Sequence, residues 1–499
     1  MNYFVDADLG ETITGIEQAE FNRLELFKKA HIPAKIIYMH HNPKIHIFLK
    51  KFKVQDNAFT MYDYFQKSIN VTNQAPFDWP SYWQDTCKYS LQYSSDYPDI
   101  RVLDENGKVI IYAGFLDNTY TKLNYLNRFD KDHNKIQTDL YDSRGFLSCS
   151  NFLAENGLVN SSVYYDPTGK VQIIRQNLTS EKNTYVRNIT LTDYNGQQYY
   201  FATDEELETF FLNEINQKGD IFYSDRSENF GKSFDMTNSE LKIIAVLHNT
   251  HVRKGQDVVT GTMKRGVYDY VLTHPQHLAG IICSTEQQKK DLLKRFDDLP
   301  PVTVIPVGCA IHHNVKTKKR NLHRIICMAR YSPQKQLMHQ VKAVEKLIPE
   351  FPDIELNLFG SGSSEGQLKA YISEHNLEKN ILLRGFKKNL NEEYAKGSLF
   401  LQTSIEEGFS LSTIEALSYS VPVIGYDINY GPSEMIVDGK NGFLVPANDQ
   451  EMLYKKMRTY LKNTKLQKKF MKNCRPSIQK FAPEKVQKKW MKLNKSLIS

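Results

Sequence analysis

Seven residues separate two acids, Glu407 and Glu415, in the segment from Glu406 to Val445, EEGFSLSTIEALSYSVPVIGYDINYGPSEMIVDGKNGFLV. Gly408 directly follows the first acid. The second falls in Ser412 to Ser418, which reads as the first turns of a helix, and Pro422 to Gly425 reads as a strand. Carboxylates accept hydrogen bonds from sugar hydroxyls, and amides at a helix start attract phosphate. Together they frame a grip on a sugar nucleotide. Ser412-x-x-Glu415 by itself fits a capping box instead, in which both side chains satisfy helix amides. Upstream, Cys327-Met-Ala-Arg330-Tyr-Ser-Pro-Gln-Lys335 places two cations just past a strand. Fixed there, Arg330 and Lys335 neutralise a departing diphosphate with no divalent metal; the plainer reading is a pair of surface cations. Leu358-Phe-Gly360-Ser-Gly362 is a strand followed by G-x-G, which lets backbone approach a phosphate or ribose closely.

The elements that position these groups follow from length and pattern. A chain of 499 residues exceeds one core, so two or three domains are expected. No run of about twenty apolar residues spans a membrane. The start, MNYFVDADLGE, has neither a basic nor a long apolar region, which points to the cytoplasm. The six cysteines lack C-x-x-C pairing and read as reduced thiols, with no zinc site. Net charge is +7, which favours anionic partners without a nucleic-acid signature. Much of the excess sits in Lys465 to Lys472 and Lys485 to Lys495. These are solvated helix faces or, on the sharper reading, a basic surface resting peripherally on anionic lipid.

Tyr3 to Val5, a loop from Asp8 to Gly15, a helix from Ile16 to about Ala30 and a strand from Ile36 to Met39 open a doubly wound parallel sheet. From about Pro43 to Phe211 the pattern turns to alternating, Tyr-rich antiparallel strands. Hairpins are expected across Asp166 to Gly169 and across Asn195-Gly196. Buried parallel strands return at Asp220 to Ser224, Ile243 to His248, Gly280 to Ser284 and Val302 to Val307. Gly308 to Asn321 reads as a linker. A second parallel series follows at Arg324 to Met328, Ile354 to Phe359, Ile381 to Leu383, Leu399 to Gln402 and Val421 to Gly425. A helix from Pro483 to Leu497 closes the chain.

E-G-F-S-L-S-T-I-E-A-L resembles the E-x7-E signature of retaining glycosyltransferases of the GT-B fold, family 4. The resemblance covers nearly the whole chain. It implies an α/β architecture of two Rossmann-like doubly wound domains with a β-rich insertion in the first. Residues 1–42 and 212–308 form the acceptor domain, and 43–211 the insertion, for acceptor recognition or oligomerisation. Residues 309–482 form the nucleotide-sugar domain, and 483–499 a helix returning to the first domain. Arg330 and Lys335 then face the diphosphate, Glu407 the donor sugar's hydroxyls and Glu415 the ribose. The helix start at Gly408, Phe409, Ser410, Leu411 and Ser412 lies against the donor. The backbone at Arg384-Gly-Phe386 holds the base, although Phe386 also fits as a core seal. Gly15, after Thr14, resembles the glycine through which the first loop approaches diphosphate and acceptor, single here where many relatives have two. In Leu247-His248-Asn-Thr-His251 the family's histidine contacts the sugar's 6-hydroxyl. His248, which ends the apolar run, is preferred and His251 is the alternative. Asp225-Arg226 reads as a structural ion pair.

MNYFV-x3-LG, TGIE, FDW-x-SYW, RGFLSCS and STEQQK are similar to the bacterial Ser-Asp-repeat adhesin glycosyltransferases, which belong with the wall-teichoic-acid α-glycosyltransferases. That implies transfer of N-acetylglucosamine from UDP-N-acetylglucosamine to serines of acidic Ser-Asp repeats, by a homo-oligomer that needs no metal or other cofactor. The Asp-x-Asp matches, Asp6-Ala-Asp8 and Asp130-Lys-Asp132, lie outside the expected donor domain. A polyol-phosphate acceptor is the alternative, and a non-enzymatic GT-B chaperone subunit is the alternative of another class.

Overall fold

The computed structural model describes residues 1–238, 240–311, 313 and 320–498. Three sheets organise it: a seven-stranded parallel sheet, a ten-stranded antiparallel sheet and a six-stranded parallel sheet. The chain divides into two compact units, 1–17 with 33–243 and 18–32 with 244–499.

In the first unit, Ala58–Thr60, Ala34–Tyr38, Asn2–Asp6 and Ile221–Ser224 lie side by side in parallel. Phe4, Val5, Ile36, Ile37 and Phe222 are fully buried, as strands covered on both faces require. In chain order these strands run 3-2-1-4, so a topological switch falls between Asn2–Asp6 and Ile221–Ser224. Just past it Arg226 donates to Asp6 (3.0 Å) and to Glu17, whose other oxygen accepts from the Thr14 amide (2.6 Å). Arg226 thus pairs across the switch point with Asp6 and Glu17. Burial lifts the Asp6 carboxyl to about 6 against the opposing pull of Arg226.

The ten-stranded sheet is a meander from Ser90–Tyr93 to Gln197–Phe201 in which each strand pairs with the next. Both expected hairpins are present, between Val159–Tyr165 and Val171–Thr179 and between Thr184–Tyr194 and Gln197–Phe201. A further regularity runs through the insertion. Tight turns begin at Asp130, Asp142, Ala154 and Asp166, twelve residues apart, and each reaches a positive φ at its fourth residue: His133 at 64°, Gly145 at 111°, Gly157 at 77° and Gly169 at 89°. The leading aspartates accept from the amide two residues on, at 2.8 to 2.9 Å. This turn chemistry employs Asp130, so Asp130-Lys-Asp132 is a hairpin feature.

The insertion is narrower than 43–211. Ile45–Phe52 and Met61–Phe65 are helices, Ala58–Thr60 belongs to the parallel sheet, and Asp204–Ile215 is a helix capped by Thr203. Ile45 and Leu49, four apart, are buried, a helical spacing that the surrounding tyrosine-rich alternation conceals.

A buried charge network ties Met61–Phe65 to the meander. Arg144 donates to both oxygens of Asp142 (2.8 and 2.9 Å), to Asp63 (2.7 Å) and to the Ser68 carbonyl (2.6 Å), and His46 reaches Asp63 at 3.1 Å. His46, Asp63 and Asp142 present ligand atoms within 4.8 Å of one another, but the guanidinium among them already supplies the positive charge. Burial raises the Asp63 pKa, and the bond and charge of His46 with the charge of Arg144 outweigh it, leaving the carboxyl well below its usual range.

In the second unit the six strands lie in the order Ile381–Leu383, Glu355–Phe359, Arg324–Met328, Leu399–Gln402, Val423–Asp427, Gly442–Pro446. In chain order that is 3-2-1-4-5-6, with its switch between Arg324–Met328 and Leu399–Gln402. Much of the proposed linker, residues 312 and 314–319, lies outside the described residues. Its described ends are packed: Ala310 is buried, and Arg320 donates to the carbonyls of Ala395, Tyr419 and Ser420. The parallel strand expected over Val302 to Val307 ends at Val304. The last helix, Pro483–Ile498, sets Trp490 edge-on to Phe27 (5.6 Å) beneath Arg23, and Gln487 donates to the Leu26 carbonyl (3.0 Å).

Replacing Arg144 by Leu strands two buried carboxylates and is expected to cost about 3–5 kcal/mol of stability by chemical denaturation. The depressed Asp63 pKa contributes stability above the unfolded carboxyl pKa of about 4, lost as pH falls below it. The deficit of Arg144→Leu relative to the parent should therefore shrink on acidification below about pH 4. An unchanged deficit at acid pH would contradict the electrostatic origin.

Candidate functional site

The site grows from the switch point of the six-stranded sheet, where loops leave two adjacent strands in opposite directions and open a crevice at their C-terminal ends. After Arg324–Met328 the chain passes Arg330, which is exposed, and a short turn, Pro333–Lys335. After Leu399–Gln402 it runs through Ser404 to Glu407. The two loops meet as an ion pair, Lys335 Nζ to Glu407 Oε1, at 2.5 Å. Ser404 Oγ (2.7 Å) and Gln402 Nε2 (3.4 Å) donate to that same oxygen. Among the described residues Oε2 has no hydrogen bond, so one oxygen is pinned and the other is available. Beside the pair, Lys264 binds Glu406 at 2.6 Å.

Gly408 is dictated by space. A Cβ there would lie 1.8 Å from the His248 carbonyl oxygen and 3.0 Å from the Asn249 nitrogen. Only glycine lets the loop beyond Lys242–Val246 lie against the loop carrying Glu407. The amide of His248 is held by the Tyr268 hydroxyl at 2.8 Å, and the residue is half-buried.

Helix Leu411–Ser418 begins after Ser410, whose φ is 73° and whose Oγ bonds the Thr413 hydroxyl at 2.8 Å. Glu415 is one turn further on. Its Oε2 accepts from the Tyr394 hydroxyl at 2.8 Å. The Tyr394 ring is locked in a stack, 5.3 Å and 14° from Tyr419, which in turn lies 4.2 Å from His313. Water reaches the Glu415 side chain although protein crowds it on most sides, as on a recess wall. Burial raises its pKa, and the Tyr394 bond works against that rise.

The chain is similar to known proteins. Residues 310–476 match the family model of glycosyl transferases group 1. These residues form a glycosyl transferases group 1 domain. The chain is 24% identical over 464 residues to the UDP-N-acetylglucosamine–peptide N-acetylglucosaminyltransferase GtfA subunit of Streptococcus gordonii, covering 90% of this chain and 88% of that one. Over 494 residues it is 25% identical to the poly(ribitol-phosphate) alpha-N-acetylglucosaminyltransferase of Staphylococcus aureus (strain COL), covering 96% of each. The crystal structure of TarM aligns with a TM-score of 0.85 at 23% identity, over 99% of this chain and 98% of that one. The fold is GT-B.

The structure brings together Lys335, Glu407 and Gly408 of the group 1 domain and, from outside that domain, the backbone of His248. The other candidate residues have these surroundings. His251 is fully buried, its Nε2 bonded to the Val258 carbonyl at 2.9 Å, and burial lowers its pKa to about 4; it is a neutral core histidine. Gly360 (φ 146°) and Gly362 (φ 149°) make their close approach to the protein's own chain. A Cβ would lie 2.0 Å from the Ala329 oxygen at the first and 2.5 Å from the Tyr331 oxygen at the second. Those glycines shape the loop that carries Arg330. The Phe386 side chain is 71% exposed and seals no core. The Phe409 side chain is buried against Phe481 (5.4 Å), so only its backbone is left to face a ligand, and Leu411 packs beside the same core. Ser412 is half-buried in the first helical turn, and Ser412-x-x-Glu415 is not a capping box, since Ser410 holds the cap position and Glu415 bonds Tyr394. Gly15 opens helix Gly15–Lys29 in the first unit, with open space where its side chain would be. Tyr394 was not a candidate in the sequence. It lies in a short helix, Asn391–Lys396, and its partner Glu415 is 21 positions away, so no local pattern marks it.

Gly408→Ala should remove at least about 99% of transferase activity, since a shift of about 1 Å in a positioned group costs roughly 10²-fold. Gly366→Ala, where a Cβ meets nothing within 4 Å, is the matched control and should be near neutral. Equal activities of the two variants would contradict the packing argument.

Proposed function

We propose that the chain is a retaining, metal-independent glycosyltransferase that moves N-acetylglucosamine from UDP-N-acetylglucosamine to serine hydroxyls of Ser-Asp-repeat proteins in the cytoplasm. The observation that carries this reading is the Lys335–Glu407 pair at the switch point of the group 1 domain, with Arg330 on the same loop. Support for the sugar comes from two relatives, each named for N-acetylglucosamine transfer. No helix among the described residues is long and apolar enough to cross a membrane.

In this mechanism Arg330 and Lys335 face the diphosphate and stabilise the charge that develops on it, the role a divalent ion plays elsewhere. Glu407 offers Oε2 to the donor sugar's hydroxyls while Lys335, Ser404 and Gln402 hold Oε1. Glu415 offers Oε1 to the ribose while Tyr394 holds Oε2. The helix start from Gly408 through Ser412 adds partial positive charge, backbone at Gly360 approaches the phosphate or ribose, and backbone at Arg384-Gly-Phe386 holds the base. His248 reaches the sugar's 6-hydroxyl. The serine oxygen bonds the anomeric carbon on the face from which UDP leaves, the bond to the β-phosphate oxygen breaks, and that oxygen takes the hydroxyl proton. The ten-stranded sheet, with Tyr97, Tyr185 and Tyr200 each at least 60% exposed, supplies surface for the acceptor or for a second copy of the chain. A poly(ribitol phosphate) acceptor is the second reading, favoured by the near full-length match to the staphylococcal enzyme.

Incubation with UDP-N-acetylglucosamine or UDP-glucose, and with a Ser-Asp-repeat peptide or poly(ribitol phosphate), tests both readings by mass spectrometry. A mass increase of one N-acetylhexosamine on the peptide alone is expected, and it should persist in EDTA. Modification of the polymer alone moves the assignment to the second reading, and loss in EDTA restored by magnesium removes the metal-free mechanism. Lys335→Ala should lower turnover at least about 10²-fold, the worth of one preorganised electrostatic donor.

Tyr394→Phe should act on donor binding. Losing one hydrogen bond to a charged group, about 1.5–3 kcal/mol, predicts a rise of roughly 10-fold or more in donor KM with kcat little changed. The Tyr394 bond holds the Glu415 pKa down against burial, so its loss raises that pKa and moves the acid limb of kcat/KM to higher pH. An unshifted acid limb would remove Glu415 from the donor site.

A further inference from the structure

The chain's positive charge is concentrated at one end. Eleven Lys or Arg against a single acid, Glu484, give residues 464–499 a net charge of +10, while the whole chain carries +7. The rest of the protein is therefore slightly acidic, and the terminal helices differ from it in kind.

Helix Pro483–Ile498 shows how that charge is arranged. Val486, Trp490 and Asn494, four residues apart, are buried, and Trp490 packs against Arg23 and Phe27. The opposite face presents Lys485, Lys488, Lys492 and Lys495 at three- and four-residue spacings, all exposed. Among the described residues none of these four ammonium groups has an ion-pair or hydrogen-bond partner. The helix's other lysine, Lys489, donates to the Val304 carbonyl at 3.0 Å. Along one border of the lysine stripe stand Met491 and Ile498, seven residues apart, 46% and 59% exposed. Helix Thr464–Ser477 repeats the pattern, with Lys465, Lys468 and Lys472 exposed over buried Phe470 and Cys474.

We infer that the outer face of helix Pro483–Ile498 is a peripheral docking surface for an anionic lipid bilayer. The helix is already anchored to protein by its Trp490 face, so its lysines do not serve folding. A compact row of like charges with no acid to offset it repels itself and is relieved by a surface of fixed negative charge. Lysine presents ammonium groups as point charges on long flexible stems, which suits lipid headgroups in a fluid plane. Exposed Met491 and Ile498 favour a lipid interface over a dissolved acidic polymer, because a bilayer offers apolar depth beside the headgroups and a solvated polyanion does not. Enzyme held this way would work at the membrane without a spanning segment.

Flotation of the full chain with vesicles tests the inference. Binding is expected to vesicles of phosphatidylglycerol and phosphatidylcholine, to be absent with phosphatidylcholine alone, and to fall steeply between 0.05 and about 0.5 M salt. Each lysine near an anionic surface adds about fivefold in partitioning, about 1 kcal/mol. The triple variant Lys488→Glu, Lys492→Glu, Lys495→Glu should then lose at least about 100-fold in binding, with melting temperature and transfer to a soluble acceptor unchanged. Met491→Ser with Ile498→Ser should weaken vesicle binding severalfold while leaving retention on a poly-aspartate column as it was. Equal binding of parent and triple variant overturns the proposal, as does equal binding to neutral vesicles. Retention on poly-aspartate without vesicle binding overturns it too, and assigns the surface to an acidic polymer.

Discussion

The chemistry of the second unit depends on one steric constraint. Two backbones, at His248 and at Gly408, pass so close that a single methyl group would not fit between them. That approach fixes where Glu407 stands, because Glu407 precedes the glycine, and with it where Lys335 must reach. The parallel sheet beneath supplies the rest. In a 3-2-1-4-5-6 order the switch falls between Arg324–Met328 and Leu399–Gln402, and Lys335 from the loop after the first meets Glu407 from the loop after the second. Two further glycines, Gly360 and Gly362, let the neighbouring loop lie against Ala329 and Tyr331 and hold the stretch that bears Arg330.

Both acids of the site obey one electrostatic logic. Each is held by donors through a single oxygen, Glu407 by Lys335 and Ser404, Glu415 by Tyr394, and among the described residues each has its other oxygen without a hydrogen bond. Holding a carboxylate by one oxygen restricts its rotamer without saturating its acceptors, which is how a site is preorganised for polar recognition. A fixed cation beside a fixed anion also limits how far either drifts. Tyr394 is held by ring stacking rather than by charge, so its hydroxyl is a stationary donor, and its bond to Glu415 works against the rise in pKa that crowding by protein brings.

Much of this was legible in the sequence. The parallel strands stood out as short β-branched runs, and Arg324–Met328, Ile381–Leu383 and Leu399–Gln402 have the expected bounds. Turn chemistry announced the hairpins at Asp166 and Asn195. The twelve-residue recurrence of Asp130, Asp142, Ala154 and Asp166 was also there to be read, but its signal lies in the spacing of turns, and the strands between them share little sequence. The helix Asp204–Ile215 was hidden by neighbouring strand-like text despite its Thr203 cap. Arg144 was unreadable as a structural residue because its partners, Asp63 and Asp142, are 81 and 2 positions away, and only the first of those separations makes the network.

By itself, then, the sequence determined what is local or periodic: the residue types available for chemistry, the α/β alternation, the hairpin turns, the glycine beside Glu407 and the lysine-rich end. Those follow from backbone preference and hydrophobic period, which act over a few residues. Only the tertiary structure decided which of two histidines is sealed in the core, which glycines meet protein, and which oxygen of Glu415 remains open. Each of those outcomes depends on atoms brought together from distant parts of the chain, where burial and close contact act and local pattern does not.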